Sequence, residues 1–273
     1  MLMIYRKQLQ KTWLFWIIPI TLLVGLALLV VFIWPDYAPI LAQFEGVMAD
    51  NPLLASILGE STIGSFEGFV GIELFIVGDF VFVILILLFG TMVIAREAET
   101  GTLDIILSYP VPRWKFLLEK LFAIITLSVT FPILIWGTVT IGASVLNALD
   151  PNLNLEFNNE AFFIALLGKW IVYMVFTCIT IFCSVIFMDT IRTLSLSGLI
   201  VGGSWILERF GGLIRTANED IADIMQGVSL FHYLDGATVM NAIMNNESFP
   251  LDELVLVLII GIIALLASLF LFR

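Results

Sequence analysis

Long apolar stretches dominate the chain and alternate with short polar connections. A bilayer core of about 30 Å needs about 20 apolar residues of helix. The pattern therefore predicts an all-α integral membrane protein with a single transmembrane domain over residues 1–273. Six stretches qualify as spans: about 13–34, 69–95, 116–146, 161–188, 191–207 and 251–272. Pro132, in the middle of the third stretch, predicts a kink there.

Composition excludes other classes of protein. Of the 273 residues, 60% are hydrophobic and only 13% are charged, and the mean hydropathy is +1.08. A soluble domain is about half apolar and about a quarter charged, so a soluble enzyme or binding module is excluded. A disordered chain needs low hydrophobicity and high charge, and is excluded as well. The net charge of −11 argues against nucleic acid as a partner, because phosphate binding needs clustered basic residues.

Basic residues gather in alternate connections. The connections on one side of the predicted membrane carry only Arg209 and Arg215. The other side carries Arg6, Lys7, Lys11, Arg96, Arg113, Lys115, Lys120, Arg192 and Arg273. The positive-inside rule then places both termini in the cytoplasm. The outer connection of about 208–250 is long and contains one predicted amphipathic helix, marked by Ile221, Ile224, Met225 and Val228.

The connection after the second stretch has its own pattern. Leu103, Ile106, Leu107 and Pro110 follow one another at helical spacing and form an apolar stripe. Polar residues occupy the opposite face, and Pro110 ends the helix. The spacing predicts an amphipathic helix over about 97–109 at the cytoplasmic surface. On this pattern alone, the helix could serve only to seal the connection between two spans.

The same connection resembles the signature of ABC type-2 permeases, the membrane subunits of ABC exporters. The residues that carry the resemblance are Arg96, Glu97, Glu99, Gly101, Thr102, Leu107, Ser108, Pro110, Arg113 and Lys120. A weaker match lies at 229–235, ahead of the last span, where Leu230 stands in place of the usual Pro. The six-span layout also fits, so the resemblance covers nearly the whole chain.

The resemblance implies a multi-pass subunit of a transporter in the plasma membrane of a prokaryote. The helix of about 97–109 would be a coupling helix that docks into a separate ATP-binding subunit, present in two copies. A second permease chain would complete a homodimer, and an exporter is the expected direction. ATP and Mg²⁺ would be bound by the partner, so no cofactor is expected in this chain. The link of about 188–193 would make a second, smaller contact.

Within the coupling helix, the resemblance implies individual roles. Leu103, Ile106 and Leu107 would anchor the helix in the partner's groove, as apolar residues usually do in such complexes. Glu97 and Glu99 would pair with basic residues on the partner or within the bundle, and Gly101 would allow close backbone approach. The full set of expected contact residues is Glu97, Glu99, Gly101, Thr102, Leu103, Ile106, Leu107, Pro110 and Arg113.

The chain carries no signature of its own chemistry. It has no GxxxxGK[ST] phosphate loop, so any ATP hydrolysis must come from another polypeptide and the chain is not expected to be an enzyme. Cys178 and Cys183 lie five residues apart on one predicted helix and point about 140° away from each other, which excludes a disulfide. With His232 as the single histidine, no metal site is expected.

Two charges fall inside the predicted spans. Asp79 and Lys169 lie about 15 Å and about 12 Å from the outer ends of their spans, at about 1.5 Å per residue. An isolated charge at mid-bilayer costs at least about 2.5–3.5 kcal/mol, so opposite charges at matching depth are expected to pair. The pair could be structural, or it could lie on a transport path.

Glycines mark the fifth span. Gly198 and Gly202 form a GxxxG step, which predicts close helix packing. In the resembled family, spans 2 and 5 face the cavity between two permease chains, so the alternative is a role in lining that cavity.

Other functions stay open on the sequence. An ATP-independent channel or secondary transporter would need a row of polar groups through the membrane, and Asp79, Lys169 and Glu73 provide few. A membrane-embedded enzyme such as a protease would need a group of catalytic side chains, and a chain with a single histidine offers few candidates for one. Association with an ATPase discriminates between these functions and the exporter.

Overall fold

A computed structural model describes residues 3–49, 65–108, 112–153, 155, 157–215, 217–245 and 247–272. Helix makes up 88% of the structure, and no strand occurs in the part that is described. The predicted all-α class is therefore confirmed.

Eleven α-helices follow one another along the described ranges, with a single 3₁₀ turn at Pro151–Leu153. They are α1 (Met3–Ala49), α2 (Phe66–Val93), α3 (Ala95–Glu99), α4 (Thr102–Leu107), α5 (Arg113–Ser128), α6 (Thr130–Leu149), α7 (Asn159–Phe187), α8 (Thr190–Ile214), α9 (Glu219–Val228), α10 (Gly236–Met244) and α11 (Leu251–Leu271).

Short polar side chains cap the start of five of these helices. The side chain of the residue before the first turn accepts a hydrogen bond from a free backbone N–H of that turn, which stabilises the helix start. The capping residues are Ser65 for α2, Asn158 for α7, Asp189 for α8, Asn218 for α9 and Asp235 for α10.

Within the described ranges, six helical stretches are long and apolar enough to cross a membrane, and they match the six predicted spans. The fifth is longer than predicted, because α8 continues to Ile214 instead of ending near 207. The predicted span ended just before two charged residues, Glu208 and Arg209. In the structure both side chains find polar partners, so the helix passes through them. The connection predicted at about 208–250 accordingly begins after Ile214, and it contains the predicted amphipathic helix as α9.

The third span is interrupted close to Pro132, where the sequence predicts a kink. Pro132 has no N–H to donate to the carbonyl of Ser128, four residues earlier. The helix breaks at Val129, between α5 and α6.

The helix α7 lies at the centre of the bundle. In its most apolar stretch 61% of the residues are buried, against 17% in α11 and 22% in α8. Its Tyr173 ring stacks on Phe82 of α2 with centroids 4.5 Å apart, and Phe82 also contacts Phe131 of α6 at 4.0 Å. The apolar outer faces of α8 and α11 are the surfaces expected to meet lipid or another chain.

The bundle has two chemically distinct ends. Lys11 and Glu97 are 3.7 Å apart at one end, where the Phe116 and Phe272 rings also meet at 6.2 Å. We call this end the basic end, because the connections rich in Lys and Arg lie on its side. We call the opposite end, where Trp34 packs on Phe66, the acidic end.

A close approach of α2 and α7 depends on Gly90. A Cβ atom at Gly90 would lie 2.5 Å from Cγ2 and 2.6 Å from Cβ of Thr180, well inside van der Waals contact. Gly25 on α1, by contrast, has no atom within 4 Å of such a Cβ.

We expect Gly90→Ala to push α2 away from α7 and to lower the free energy of unfolding by about 1–3 kcal/mol. The matched control Gly25→Ala gains helix propensity without a clash and is expected to leave stability unchanged or slightly higher. Thermal unfolding of the detergent-solubilised protein measures both. Equal midpoints for the two variants would contradict the close approach.

Candidate functional site

The basic end of α2 is fixed by side chains from two other helices. Lys120 of α5 donates to the Val93 carbonyl, with 2.6 Å between Nζ and O, where α2 ends. The backbone N–H of Ala95, just past the end of α2, donates to Ser184 Oγ of α7 at 2.8 Å. Because both groups are satisfied by side chains, the chain can leave the helix at Ile94 while remaining buried.

Glu97 on α3 is held inside the chain. Its Oε2 lies 2.6 Å from Nζ of Lys120, and its Oε1 lies 3.7 Å from Nζ of Lys11. Glu97 and Lys120 are both buried, whereas half of the Lys11 side chain is exposed. Of the two alternatives expected for Glu97, the structure therefore shows pairing within the bundle.

The segment expected to form one helix over about 97–109 is two short helices, α3 and α4, so that prediction is wrong in form. Thr100 and Gly101 separate them, and Gly101 has φ +70°, a left-handed conformation that favours glycine. A Cβ at Gly101 would meet no atom within 4 Å, so its backbone conformation, and not a close approach, is what requires glycine. Tyr109 and Pro110 lie outside the described residues.

The apolar residues of α4 do not all face outward. Leu103 is buried in the core of the bundle, and Ile106 and Leu107 are partly buried against it. The side chain that projects from the surface is Ile105, which is 65% exposed and which the periodicity placed off the apolar stripe. Its exposure depends on how α4 packs on the bundle, and no signal in the sequence reports it.

Polar contacts join this segment to the link between α7 and α8. Glu99 accepts a hydrogen bond from the hydroxyl of Thr190, and Asp189 caps α8 through the N–H of Arg192. Ile191, beside them, is 72% exposed. The segment 95–108 and the link 188–192 thus form one continuous surface, which we call the basic-end surface. Thr102 donates to the Glu97 carbonyl at 3.2 Å, and Arg113 is exposed at the start of α5.

The structure brings Asp79 and Lys169 together inside the bundle. Lys169 Nζ lies 3.2 Å from Asp79 Oδ2, and both side chains are 1% exposed. Three groups that sequence reasoning missed complete the cluster. Tyr173 donates to Asp79 Oδ1 at 2.6 Å, Arg209 Nη2 lies 3.5 Å from Asp79 Oδ2, and Asp235 Oδ1 lies 3.3 Å from Lys169 Nζ.

One of the missed groups left a signal in the sequence. Tyr173 follows Lys169 by four residues and so shares its helix face. Arg209 and Asp235 were assigned to a long connection, and only the tertiary structure brings them to α2. Although burial alone would raise it, the pKa of Asp235 lies below its ordinary value, because the Lys169 ammonium and the Arg209 guanidinium favour the carboxylate.

Among the residues that the structure describes, the GxxxG step makes no close helix contact. A Cβ at Gly198 would meet only Leu87 at 3.9 Å, an ordinary contact, and a Cβ at Gly202 would meet nothing within 4 Å. Close packing at this step would therefore require a second chain.

His232 lies beside Glu208 near the acidic end, with 3.4 Å between Nδ1 and the carboxylate. The hydrogen bond that His232 donates to the Glu208 carboxylate raises the pKa of His232 above its usual 6.5, outweighing the effect of burial, which lowers it. Among the described residues no group of three or more His, Cys, Asp and Glu is placed to hold a metal ion.

These observations define a class of protein: a six-span helical membrane protein in which buried ion pairs hold connecting segments at both ends of the bundle. A family model described as ABC-2 family transporter protein matches residues 11–272, so the chain belongs to the ABC-2 transporter family. The resemblance found in the sequence is thereby confirmed. Members of this family are membrane transport components. Comparison with curated proteins and with solved structures gives no match.

Replacing Lys120 by Met should leave the buried Glu97 carboxylate with only the half-exposed Lys11. Breaking a buried pair on one side typically costs about 3 kcal/mol, so the thermal midpoint in detergent should fall markedly. The double variant Lys120→Met/Glu97→Gln removes the stranded charge and should recover much of that loss. A double variant no more stable than the single one would show that the two residues do not form a pair.

The contact between His232 and Glu208 should make stability depend on pH. Because the pKa of His232 is raised in the folded protein, its contribution is fully present below the unfolded pKa of about 6.5 and is lost as pH rises through the folded value. The difference in thermal midpoint between the native protein and Glu208→Gln should therefore shrink as pH increases across the range of about 5.5–8.5. A difference that stays constant over this range would contradict the contact.

Proposed function

We propose that this chain is the permease subunit of an ATP-driven exporter, and that the basic-end surface is where a separate ATP-binding subunit docks. Membership of the ABC-2 transporter family supports the transport role. The excess of Lys and Arg at the basic end supports its placement in the cytoplasm, where ATP is available. ATP and Mg²⁺ would be bound by the partner, of which two copies would serve a pair of permease chains.

The observation that carries this proposal is the exposed apolar pair Ile105 and Ile191. They are 65% and 72% exposed, on two connections that hydrogen bonds join into one surface. Charged side chains surround them: Asp104 on α4 and Arg192 on α8 are both exposed. An apolar centre within a polar rim is typical of a protein interface. The anchor residue is then Ile105, whereas the buried Leu103 transmits force to the core.

The route from this surface into the spans is short. Glu97 is paired with Lys120 of α5 and Lys11 of α1, and Ala95 is bonded to Ser184 of α7. A partner that pushes on the basic-end surface would therefore act on three membrane helices at once. This arrangement favours coupling over a connection that merely seals a loop.

A second permease copy would pack on the faces of α2 and α8 that carry exposed apolar groups. On α2 these are Phe80, Ile84 and Leu88, spaced four residues apart, and on α8 they include Leu199 and Ile206. On α8, a Cβ at Gly202 would meet no described atom within 4 Å and one at Gly198 would make only an ordinary contact with Leu87, which leaves room for close approach of another helix. This arrangement supports a homodimer with its transport cavity between the two copies.

The proposal is tested by purifying the tagged chain from the membranes of its native host and measuring vanadate-sensitive ATPase activity. The native chain should carry an ATPase with it. Ile105→Asp would place a charge in an apolar socket and should reduce the co-purified activity by at least about tenfold. The matched control Ile224→Asp alters an equally exposed isoleucine (69%) on α9, away from the basic-end surface, and should retain the activity.

Two results would overturn the proposal. Absence of any ATPase from the purified native chain would exclude an ATP-driven permease. Full activity in Ile105→Asp, with loss in Ile224→Asp, would place the docking surface elsewhere.

A further inference from the structure

Residues 229–235 form a buried turn between α9 and α10, which we call the Phe231 turn. Phe231 is 1% exposed and packs on Phe176 of α7, with ring centroids 4.8 Å apart. Ser229 donates to the Ser204 carbonyl of α8 at 2.8 Å, and the N–H of Leu230 donates to Ser204 Oγ at 2.8 Å. A connecting segment is thus inserted among the spans at the acidic end.

One ammonium group joins this turn to the bundle. Lys169 Nζ lies 3.2 Å from Asp79 Oδ2 and 3.3 Å from Asp235 Oδ1. Asp79 belongs to α2, a membrane span, and Asp235 is the last residue of the Phe231 turn. Lys169 is therefore shared between a carboxylate that belongs to the bundle and one that belongs to a connection.

The two carboxylates are not equivalent. Asp79 is 1% exposed, and it also accepts from the Tyr173 hydroxyl and lies near Arg209. The side chain of Asp235 is 26% exposed and reaches water, and its other oxygen, Oδ2, caps α10 by accepting from the N–H of Thr238. If the turn leaves, Asp235 becomes hydrated and Lys169 keeps Asp79, so no unpaired charge is left in the bundle. If Asp79 were to leave instead, it would lose every one of these partners.

The backbone of the turn is held in a conformation that its residues disfavour. Leu234, immediately before Asp235, has φ +58°, the left-handed region that a branched side chain rarely adopts. Its side chain is fully buried, and its N–H donates to Glu253 Oε2 of α11 at 3.2 Å. Packing imposes this conformation, and detachment of the turn would relieve it.

From this geometry we infer that Lys169 is a latch with one permanent and one releasable partner: Asp79 stays, and the Phe231 turn detaches from the acidic end through Asp235. The inference rests on the proposed function only for its purpose, since a detachable turn would open the acidic end during transport. Its test requires neither ATP nor a partner, so its failure is distinguishable from failure of the proposed function.

The test uses a buried reporter cysteine on α10, the helix that begins directly after the Phe231 turn. Val239, which is 1% exposed, is replaced by Cys as the reporter. The native Cys178 and Cys183 are replaced by Ala to remove competing thiols. The measured quantity is the rate at which a water-soluble maleimide modifies the reporter in detergent-solubilised protein. Detachment exposes the thiol, so this rate reports how often the turn leaves.

Asp235→Asn should accelerate modification by about tenfold, the effect expected when about 1.4 kcal/mol of holding interaction is lost. Asparagine caps helices as well as aspartate does, so the change removes the charge and keeps the cap. The matched control Asp223→Asn removes an exposed ion pair with Arg215 at the same end, and should leave the rate unchanged.

The two partners of Lys169 should behave in opposite ways. Asp79→Asn should lower the thermal midpoint more than Asp235→Asn does, without accelerating modification, because Lys169 then keeps Asp235. Should Asp79→Asn not fold, Tyr173→Phe removes the hydrogen bond to Asp79 instead and should show the same pattern more weakly. An unchanged rate in Asp235→Asn overturns the latch, and equal acceleration by changes at Asp79 or Tyr173 overturns the division into permanent and releasable partners.

Discussion

A charge inside a membrane-spanning bundle needs a partner, and two buried lysines of this chain show how that requirement shapes the structure. Lys120 and Lys169 are 2% and 1% exposed, one toward each end of the bundle. Each lies on a span, and each binds a carboxylate of a connecting segment: Glu97 at the basic end and Asp235 at the acidic end. At the basic end, the cost of an unpaired buried charge therefore holds the connection against the spans. At the acidic end, Lys169 would still have Asp79 if Asp235 left, so the ion pair holds the connection without that additional cost.

The helix pair α2 and α7 carries both of these clusters. Asp79 and Val93 on α2 contact the two lysines, and α7 provides Lys169 near one end and Ser184 near the other. Between the clusters, Gly90 lets α2 lie directly against Thr180. Since packed helices move as rigid bodies more readily than they deform, a displacement at one end of this pair is felt at the other. The permease function proposed above, with an energy source on one side of the membrane, would require this mechanical property.

The outer helices play a different part. The helices α8 and α11 bury little of their apolar surface within the chain, and α8 leaves Gly202 without a neighbour. Exposing an apolar face to lipid carries no free-energy penalty. Small residues on such a face permit another helix to approach closely. The bundle thus combines a core closed by aromatic stacking with a rim suited to lipid and to a second copy.

The sequence by itself determined the class, the number of spans, a helix interruption near Pro132 and the family. All of these follow from local or one-dimensional properties: apolar length, the missing N–H of proline, and a contiguous motif. Helix ends were harder to predict from the sequence. The helix α8 continues past Glu208 and Arg209 because residues distant in the sequence form hydrogen bonds with these charged side chains. The two short helices at 95–107 were missed for a similar reason, since the periodicity of Leu103, Ile106 and Leu107 does not show that Gly101 adopts a left-handed conformation.

Only the tertiary structure decided which polar residues meet. Depth within a span pointed to Asp79 and Lys169, but Asp235 and Arg209 come from segments far along the chain. It also decided that Leu103 is buried and Ile105 exposed, because that depends on where α4 rests on the bundle. The physical reason is the same in each case: pairing and burial are properties of three-dimensional proximity, and helical periodicity states only which residues share a face, not what that face meets.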